Sequence, residues 1–305
     1  MGLLSRILGR LARPRRAGAP RFTVDTLADR LGMTVGELQR ITPAYHTFAI
    51  PKRTGGLRTL HAPDPPFKHF QRRLHRRVLA RLPVHPAAAA YVPGRSIAHH
   101  ALLHAARAVV VRLDLQDFFP STTAQRVADY FRVIGYDAQA AALLTTWCTH
   151  EGGLPQGAPT SPVLANAVNF RLDAALASAL RRIARNAGHY SRYADDLTFS
   201  FDTDDHAAVN PMIHAAKDIA GRFGYRVHHH RKLRIMRRHH RQQVCGLVIN
   251  AGVHLPREQR RLLRAARHHA ATGRPCTLTP AQLEGWAALE GMLRRAVGGG
   301  RSGGE

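Results

Sequence analysis

The stretch Tyr190-Ser-Arg-Tyr-Ala-Asp-Asp-Leu-Thr-Phe-Ser200 constrains this chain more than any other. Two adjacent carboxylates, Asp195 and Asp196, separate two short runs of strand-like composition. The gap is too short for a helix, so the stretch reads as a β-hairpin with Ala194, Asp195 and Asp196 at or near its tip. Two anionic side chains next to each other in a tight turn repel. Solvent screens them in an ordinary surface loop. A divalent cation does the same in a functional one, because Mg²⁺ sites are built from one or two carboxylates plus substrate phosphates.

Composition narrows the choice. The 305 residues are 45% hydrophobic, enough for a sizeable core and one or two domains. The net charge of +25 asks for a polyanionic partner, nucleic acid first. Only Lys52, Lys68, Lys217 and Lys232 are lysines, so an Arg-favouring genome has left its mark, yet such a bias does not remove acids, and only 20 are present. Cys148, Cys245 and Cys276 are odd in number and form no CxxC, which argues against a disulfide framework or a cysteine zinc site and suits a reducing, cytoplasmic setting. No apolar run is long enough to span a membrane. Residues 1–20 are Arg-rich and lack the features of a secretory signal, so they read as a basic tail.

In chain order, residues 22–41 suggest two short helices, with Thr34 and Glu37 at capping-box spacing. Residues 1–40 are therefore taken as a tail plus a small helical module. Residues 46–62 form strands around Lys52-Arg-Thr-Gly-Gly-Leu-Arg58, a hairpin whose Lys52, Arg53 and Arg58 either clamp phosphates or decorate an ordinary turn. From residue 66 to 82 a helix shows Phe67, Phe70, Leu74 and Val78 on one face and Arg72, Arg73, Arg76 and Arg77 on the other. A further helix spans 96–106. Ala108-Val-Val-Val-Arg-Leu-Asp-Leu115 is a buried strand delivering Asp114 at its end, and Asp117 either adds a ligand or caps the next helix. Helices follow at 122–134 and 137–148. A Gly- and Pro-rich loop, 152–162, then enters one long helix reaching about Ala184. Beyond the Asp-Asp hairpin come a helix at 205–223, strand-like runs at 224–236 and 243–250, Arg-rich helices at 256–269 and 279–297, and a disordered tail at 299–305. The histidine pairs and triplet (228–230, 239–240, 268–269) have no Cys or acid spaced with them and read as basic surface.

Five segments now line up. Arg112-Leu-Asp-Leu-Gln-Asp-Phe-Phe119 and Tyr193-Ala-Asp-Asp196 resemble the first catalytic motif and the Tyr-x-Asp-Asp box of reverse transcriptases. Leu154-Pro-Gln-Gly-Ala-Pro-Thr-Ser-Pro162, Lys232-Leu-Arg-Ile235 and the 51–58 hairpin are similar to three more of their elements, in the right order over residues 48–260. The strings around 154–166 and 193–200 look like the retron type of bacterial enzyme. Its Asn-Ala-x-x-His and Val-Thr-Gly elements become His100-Ala-Leu-Leu-His104 and Val244-Cys-Gly246 here.

The resemblance implies an α+β right-hand polymerase: fingers and palm over 41–253, with an antiparallel sheet carrying the carboxylates, and a short helical thumb over 254–298. It implies that Asp114 and Asp195 bridge two Mg²⁺ ions, with Asp196 assisting and the Leu115 carbonyl as an extra ligand. Phe119 would lie under the nucleotide sugar, Gln156 would touch the incoming dNTP, and Lys52, Arg53 and Arg58 would hold its triphosphate. Lys232 is a candidate acid toward pyrophosphate, or equally a surface lysine. The expected partners are a cognate structured noncoding RNA serving as template and primer, its DNA product, dNTPs and an effector protein of antiphage defence. Two rivals stand beside this reading: a reverse transcriptase of the diversity-generating or abortive-infection type, and a catalytically silent RNA-binding protein on a polymerase palm.

Overall fold

The computed structural model describes residues 21–52, 55–228 and 233–299. Arg53, Lys232, the basic tail 1–20 and the expected tail from residue 300 lie outside them. The first elements are short helices with good caps. Thr23 accepts from the Thr26 amide at the start of α1 (Val24–Leu31), and Gly32 ends it in the left-handed region. At α2 (Val35–Gln39), Thr34 and Glu37 form the expected reciprocal capping box. Strands β1 (Tyr45–Pro51) and β2 (Leu57–Pro63) make the expected basic hairpin, registered from Tyr45↔Pro63 to Pro51↔Leu57. Next come α3 (Pro65–Arg77), α4 (Ile97–Leu103), β3 (Val109–Asp114), α5 (Phe118–Ser121), α6 (Ala124–Ile134) and α7 (Ala138–Cys148). The chain continues through α8 (Ser161–Val168), α9 (Phe170–Ile183), β4 (Gly188–Tyr193), β5 (Asp196–Phe201) and α10 (His206–Arg222). It closes with β6 (Arg234–Arg237), β7 (Gln243–Val244), β8 (Leu247–Val248), α11 (Arg257–Ala271) and α12 (Pro280–Gly299). No helix among the described residues is long and apolar enough to cross a membrane.

Three local expectations change. The long helix to Ala184 breaks at Asn169. There the side-chain Nδ2 takes the Ala165 carbonyl at 2.8 Å, while the backbone N–H turns to Ala167. An Asn side chain that competes for the helix ladder in this way ends the helix. Residues 243–250 are not one strand but the small β7–β8 hairpin, because Cys245 (φ 47°) and Gly246 (φ 81°) both adopt the left-handed conformation of a type I′ turn. The run from 224 shortens to β6 plus an isolated bridge between Val227 and Leu115. Asp117 occupies the cap position of α5 at φ 43° but makes no side-chain cap bond.

The chain divides into two compact units. The first comprises residues 21–85, Gln116–Ala175 and Ala220–Arg226. Its core gathers Leu27 and Leu31 of α1, Phe67, Phe70 and Leu74 of α3, and Leu144 and Trp147 of α7. Phe70 meets Trp147 edge-on at 5.0 Å. Gln71, fully buried, donates through Nε2 to Tyr45 Oη and to the Trp147 carbonyl, both at 2.8 Å, which compensates its amide nitrogen but leaves Oε1 without a hydrogen-bond partner among the described residues. The Arg stripe of α3 is split. Arg73 donates to the Gly32 carbonyl at the C-terminal end of α1 (2.8 Å), whereas Arg72 and Arg76 join His69 and His75 around an open hollow of about 390 Å³. Asn169, Tyr225, Thr122 and Arg126 form one network, with Thr122 Oγ1 2.6 Å and Asn169 Nδ2 2.8 Å from Tyr225 Oη, and Arg126 donating to Asn169 Oδ1 at 2.8 Å.

The second unit comprises Pro86–Leu115, Leu176–Ile219 and the described residues from Val227 on. Its antiparallel sheet has the order β4-β5-β3-β6. Val109, Val110 and Val111 fill the central strand and are fully buried, which explains the unbroken apolar run. Val110 and Met236 continue into a core with Val244, Leu247, Leu263 of α11 and Leu293 of α12. A polar network runs through the interior. His104 Nδ1 lies 2.8 Å from Ser200 Oγ and its Nε2 2.7 Å from Ser191 Oγ, and Ser191 Oγ reaches His100 Nδ1 at 2.8 Å. Burial, then the Arg112 charge, lowers the His100 pKa to about 4. Burial, then His100, His189 and Arg107, holds His104 well below the usual histidine value.

Two predictions follow from this packing. Residues His150–Gly153 form a tight turn with reciprocal backbone bonds (2.9 and 3.1 Å), and a Cβ on Gly153 would stand 2.2 Å from the Pro120 carbonyl oxygen. Gly153→Ala should therefore cost about 2–3 kcal/mol in urea denaturation. Gly152→Ala, at φ +83° in open space, should cost only about 1 kcal/mol. For the histidines, the folded pKa lies below the unfolded value of about 6.5. The unfolded chain then binds protons that the fold refuses, so stability present above pH 6.5 is lost as the pH falls toward 4. Between pH 7.5 and 5.5, wild type should lose more stability than His104→Gln, because the buried imidazole resists the proton that the unfolded chain takes up. Equal losses would mean that His104 does not titrate as its burial requires.

Candidate active site

Strand β3 ends on Asp114, and its register with β5 sets Asp114 opposite Asp196. One residue on, the Leu115 amide donates to the Asp195 carbonyl at 2.9 Å. The turn between β4 and β5 is the pair Ala194–Asp195, as the hairpin reading expected. Ala194 is left-handed at φ 57°, a conformation that costs a residue with a Cβ about 1–2 kcal/mol. A buried cation holds it there: Arg192, with no exposed surface, donates through Nη1 to the Ala194 carbonyl at 3.1 Å. The Arg192 backbone is fixed in turn by Ala87 and Ala89, at 2.8 and 2.7 Å.

Each carboxylate has a different neighbour. Asp196 forms an ion pair with Arg112 of β3, its diagonal partner across the strands. Asp114 Oδ1 lies 3.4 Å from His228 Nε2, and the His228 amide donates to the Asp114 carbonyl at 3.0 Å. Cys245, at the β7–β8 turn, belongs to the same surroundings. Burial pushes its thiol up to about 12, and the Asp196 and Asp195 charges add to the shift while Arg112 opposes it. Three carboxylates make a hard oxygen donor set, which fits a hard divalent cation.

The structure thus brings Asp114, Leu115, Asp195 and Asp196 together in the second unit. Phe119, Gln156, Lys52 and Arg58 belong to the first. Phe118 is buried and stacks on Tyr225 at 5.7 Å, while Phe119 stays half-buried, so the two phenylalanines part in role. The Gln156 carbonyl accepts from the His61 amide at 2.9 Å, which ties its loop to β2. Lys52 and Arg58 are exposed, Arg58 opposite Ile50 in the hairpin ladder.

Sequence reading passed over Arg112, Arg192, His228 and Cys245. For Arg112 a signal existed: it stands two residues before Asp114 on a strand, hence on the same face. Arg192 carried none, since an arginine in so basic a chain reads as surface. His228 was grouped with its histidine neighbours, and Cys245 was placed inside a strand.

Comparison with known proteins shows the family. A family described as "Reverse transcriptase (RNA-dependent DNA polymerase)" matches residues 50–250. The chain is 39% identical to the retron Mx65 reverse transcriptase of Myxococcus xanthus, over 91% of this chain and 70% of that one. It is 36% identical to the retron Mx162 reverse transcriptase of the same organism (90% and 65%) and 31% identical to the retron Ec86 reverse transcriptase of Escherichia coli (89% and 81%). Reverse transcriptase domains generally use divalent metal ions, in keeping with the oxygen donors at Asp114, Asp195 and Asp196. With the motifs in order and a paired β3–β5 carboxylate cluster in place, the chain belongs to the retron reverse transcriptases and is an RNA-directed DNA polymerase.

Proposed function

We propose that the chain copies a structured noncoding RNA that serves as both template and primer, and that it makes a branched, RNA-linked, multicopy single-stranded DNA. The observation that carries this reading is the β3–β5 register, which puts Asp114 beside Asp196 and binds Leu115 to Asp195 at one end of a buried sheet. Asp114 and Asp195 hold two Mg²⁺ ions in this proposal, with the Leu115 carbonyl as an added oxygen. When bound, such ions lower the pKa of the attacking hydroxyl and neutralise charge on the departing pyrophosphate. Asp196 assists from the side, and Arg112 balances its charge and sets its orientation. Arg192 keeps the Ala194–Asp195 turn in its left-handed form, so the Asp195 side chain is presented in one direction.

The same reading treats the second unit's sheet as palm, α11 and α12 as thumb, and the β1–β2 hairpin as part of the fingers, within the division 41–253 and 254–298. Phe119, Gln156, Lys52, Arg53 and Arg58 serve the incoming dNTP, and Lys232 gives a proton toward pyrophosphate. These roles rest on motif resemblance. So do priming from a guanosine 2′-OH, a cytoplasmic site of action and a defence role with an effector protein.

Two measurements test the proposal. The protein would be expressed with its native flanking DNA and the nucleic acid run on a denaturing gel, with and without RNase and debranching enzyme. Wild type should yield a discrete short DNA that shifts after debranching, and Asp195→Asn should drop it to background while RNA binding persists. Primer extension on RNA without any branched species would instead indicate a reverse transcriptase of another type. Arg112→Gln should lower primer extension roughly 10- to 100-fold, as loss of a partner behind a metal-binding carboxylate does. Unchanged activity in that variant would remove Arg112 from the site.

A further inference from the structure

Within the first unit, three metal-ligating side chains converge on a place that the polymerase reading leaves unused. His61 comes from the end of β2, and His150 and Glu151 from the tight turn after α7. Their donor atoms all lie within 4.8 Å of one another, the one such trio among the described residues. His61 Nε2 is 3.8 Å from one Glu151 oxygen, and His150 Nε2 is 3.6 Å from the other. Ligand atoms around a tetrahedral zinc with bonds near 2.05 Å stand about 3.3 Å apart, so the three donors, within 4.8 Å of one another, draw together when the ion enters.

The surroundings suit a metal better than a chance ion pair. His61 Nδ1 lies 3.0 Å from Thr47 Oγ1. With the proton on Nδ1 donated to that hydroxyl, Nε2 carries the lone pair toward Glu151, the orientation that metal-bound histidines commonly receive from a neighbouring acceptor. The His150 ring is fixed by stacking on Tyr45 at 4.4 Å. Glu151 is left-handed at φ 48°, followed by Gly152 at φ 83°. The same turn that needs Gly153 therefore directs the Glu151 carboxylate between the two imidazoles.

The position also has a mechanical consequence. Hairpin β1–β2 stands outside any larger sheet, with exposed residues along nearly all of β1. Isolated two-stranded hairpins are only marginally stable in water. Its described attachments cluster at the base: Tyr45 to Gln71, and the His61 amide to the Gln156 carbonyl. A Cβ on Gly157 would meet the His61 carbonyl at 3.0 Å, so the loop and β2 are already in close contact. We propose that His61, His150 and Glu151 bind one zinc ion, with a fourth position left to water, and that this ion staples the base of the basic hairpin to the loop carrying Gln156. Imidazole nitrogens select zinc over magnesium, so the site is chemically separate from the carboxylate cluster.

Untagged protein, stripped with EDTA and reloaded with zinc, should retain one zinc per chain after gel filtration. Cobalt added instead should give the intense visible absorption of a tetrahedral ion, and zinc should raise the melting temperature and slow proteolysis within 45–63. His150→Asn and Glu151→Gln should weaken zinc binding by about 10- to 100-fold or more. Glu151 is an exposed side chain, so its variant tests the site without disturbing the core. Glu151→His removes the carboxylate yet supplies a third imidazole, and should keep the metal. His239→Ala with His240→Ala controls for histidines elsewhere on the surface and should change nothing. The proposal is overturned if stripped wild type takes up no stoichiometric zinc. It is equally overturned if His150→Asn and Glu151→Gln bind zinc as wild type does.

Discussion

The carboxylate-bearing end of this protein depends on one antiparallel pairing, β3 against β5. It places Asp114 directly opposite Asp196, an arrangement that like charges resist. The chain meets the repulsion with a cation of its own, Arg112, and with an imidazole. Arg112 answers Asp196 diagonally across the same two strands, and His228 lies beside Asp114. Beneath the turn, the buried Arg192 holds Ala194 in a conformation its side chain disfavours. Asp195 is thus presented on a turn that is rigid because a guanidinium beneath it has no solvent to turn to.

That rigidity is inherited from the interior. Ser191 of β4 and Ser200 of β5 flank the turn-bearing hairpin, and both bond His104, with His100 joining through Ser191. Both ring nitrogens of His104 are satisfied in this network, whereas His100 bonds through Nδ1 alone and its Nε2 has no hydrogen-bond partner among the described residues. Its low histidine pKa values follow from the same burial that makes it specific. Around the same face of the sheet the contacts are apolar, from Val110, the register partner of Ser200, and Met236 through β7–β8 to α11 and α12. The polar bonds set the direction of side chains and the apolar contacts supply cohesion.

The first unit works by different physics. Its helices bury aromatic stripes around Gln71 and Trp147, but β1–β2 carries charge and apolar groups such as Phe48 and Leu57 into solvent. A ribbon this exposed is suited to touching a ligand and poorly suited to standing alone. Its order must come from its base, where Tyr45, His61 and the Gln156 loop meet.

Local chemistry was legible from the start. The capping box at Thr34, the turns of β1–β2 and β4–β5, the buried valine strand ending on Asp114 and the Asp195-Asp196 tip each follow from interactions within a few residues, so the residues themselves determine them. The motif order carried the family. What stayed hidden depends on partners distant along the chain. The Asn169 amide that ends its helix on the Ala165 carbonyl is held as well by Tyr225 and Arg126, far from it along the chain. The tight turn at Cys245 requires a left-handed residue that nothing in its side chain advertises. The pairings of Arg112 with Asp196, Arg192 with Ala194 and His61 with Glu151 join positions on separate elements or reverse direction within a turn. Sequence alone determined the β1–β2 and β4–β5 hairpins, the buried strand that ends on Asp114, and the family. Only the tertiary structure decided which cation answers which charge, because electrostatic partnership depends on distance in space, and that distance does not exist until the strands pair.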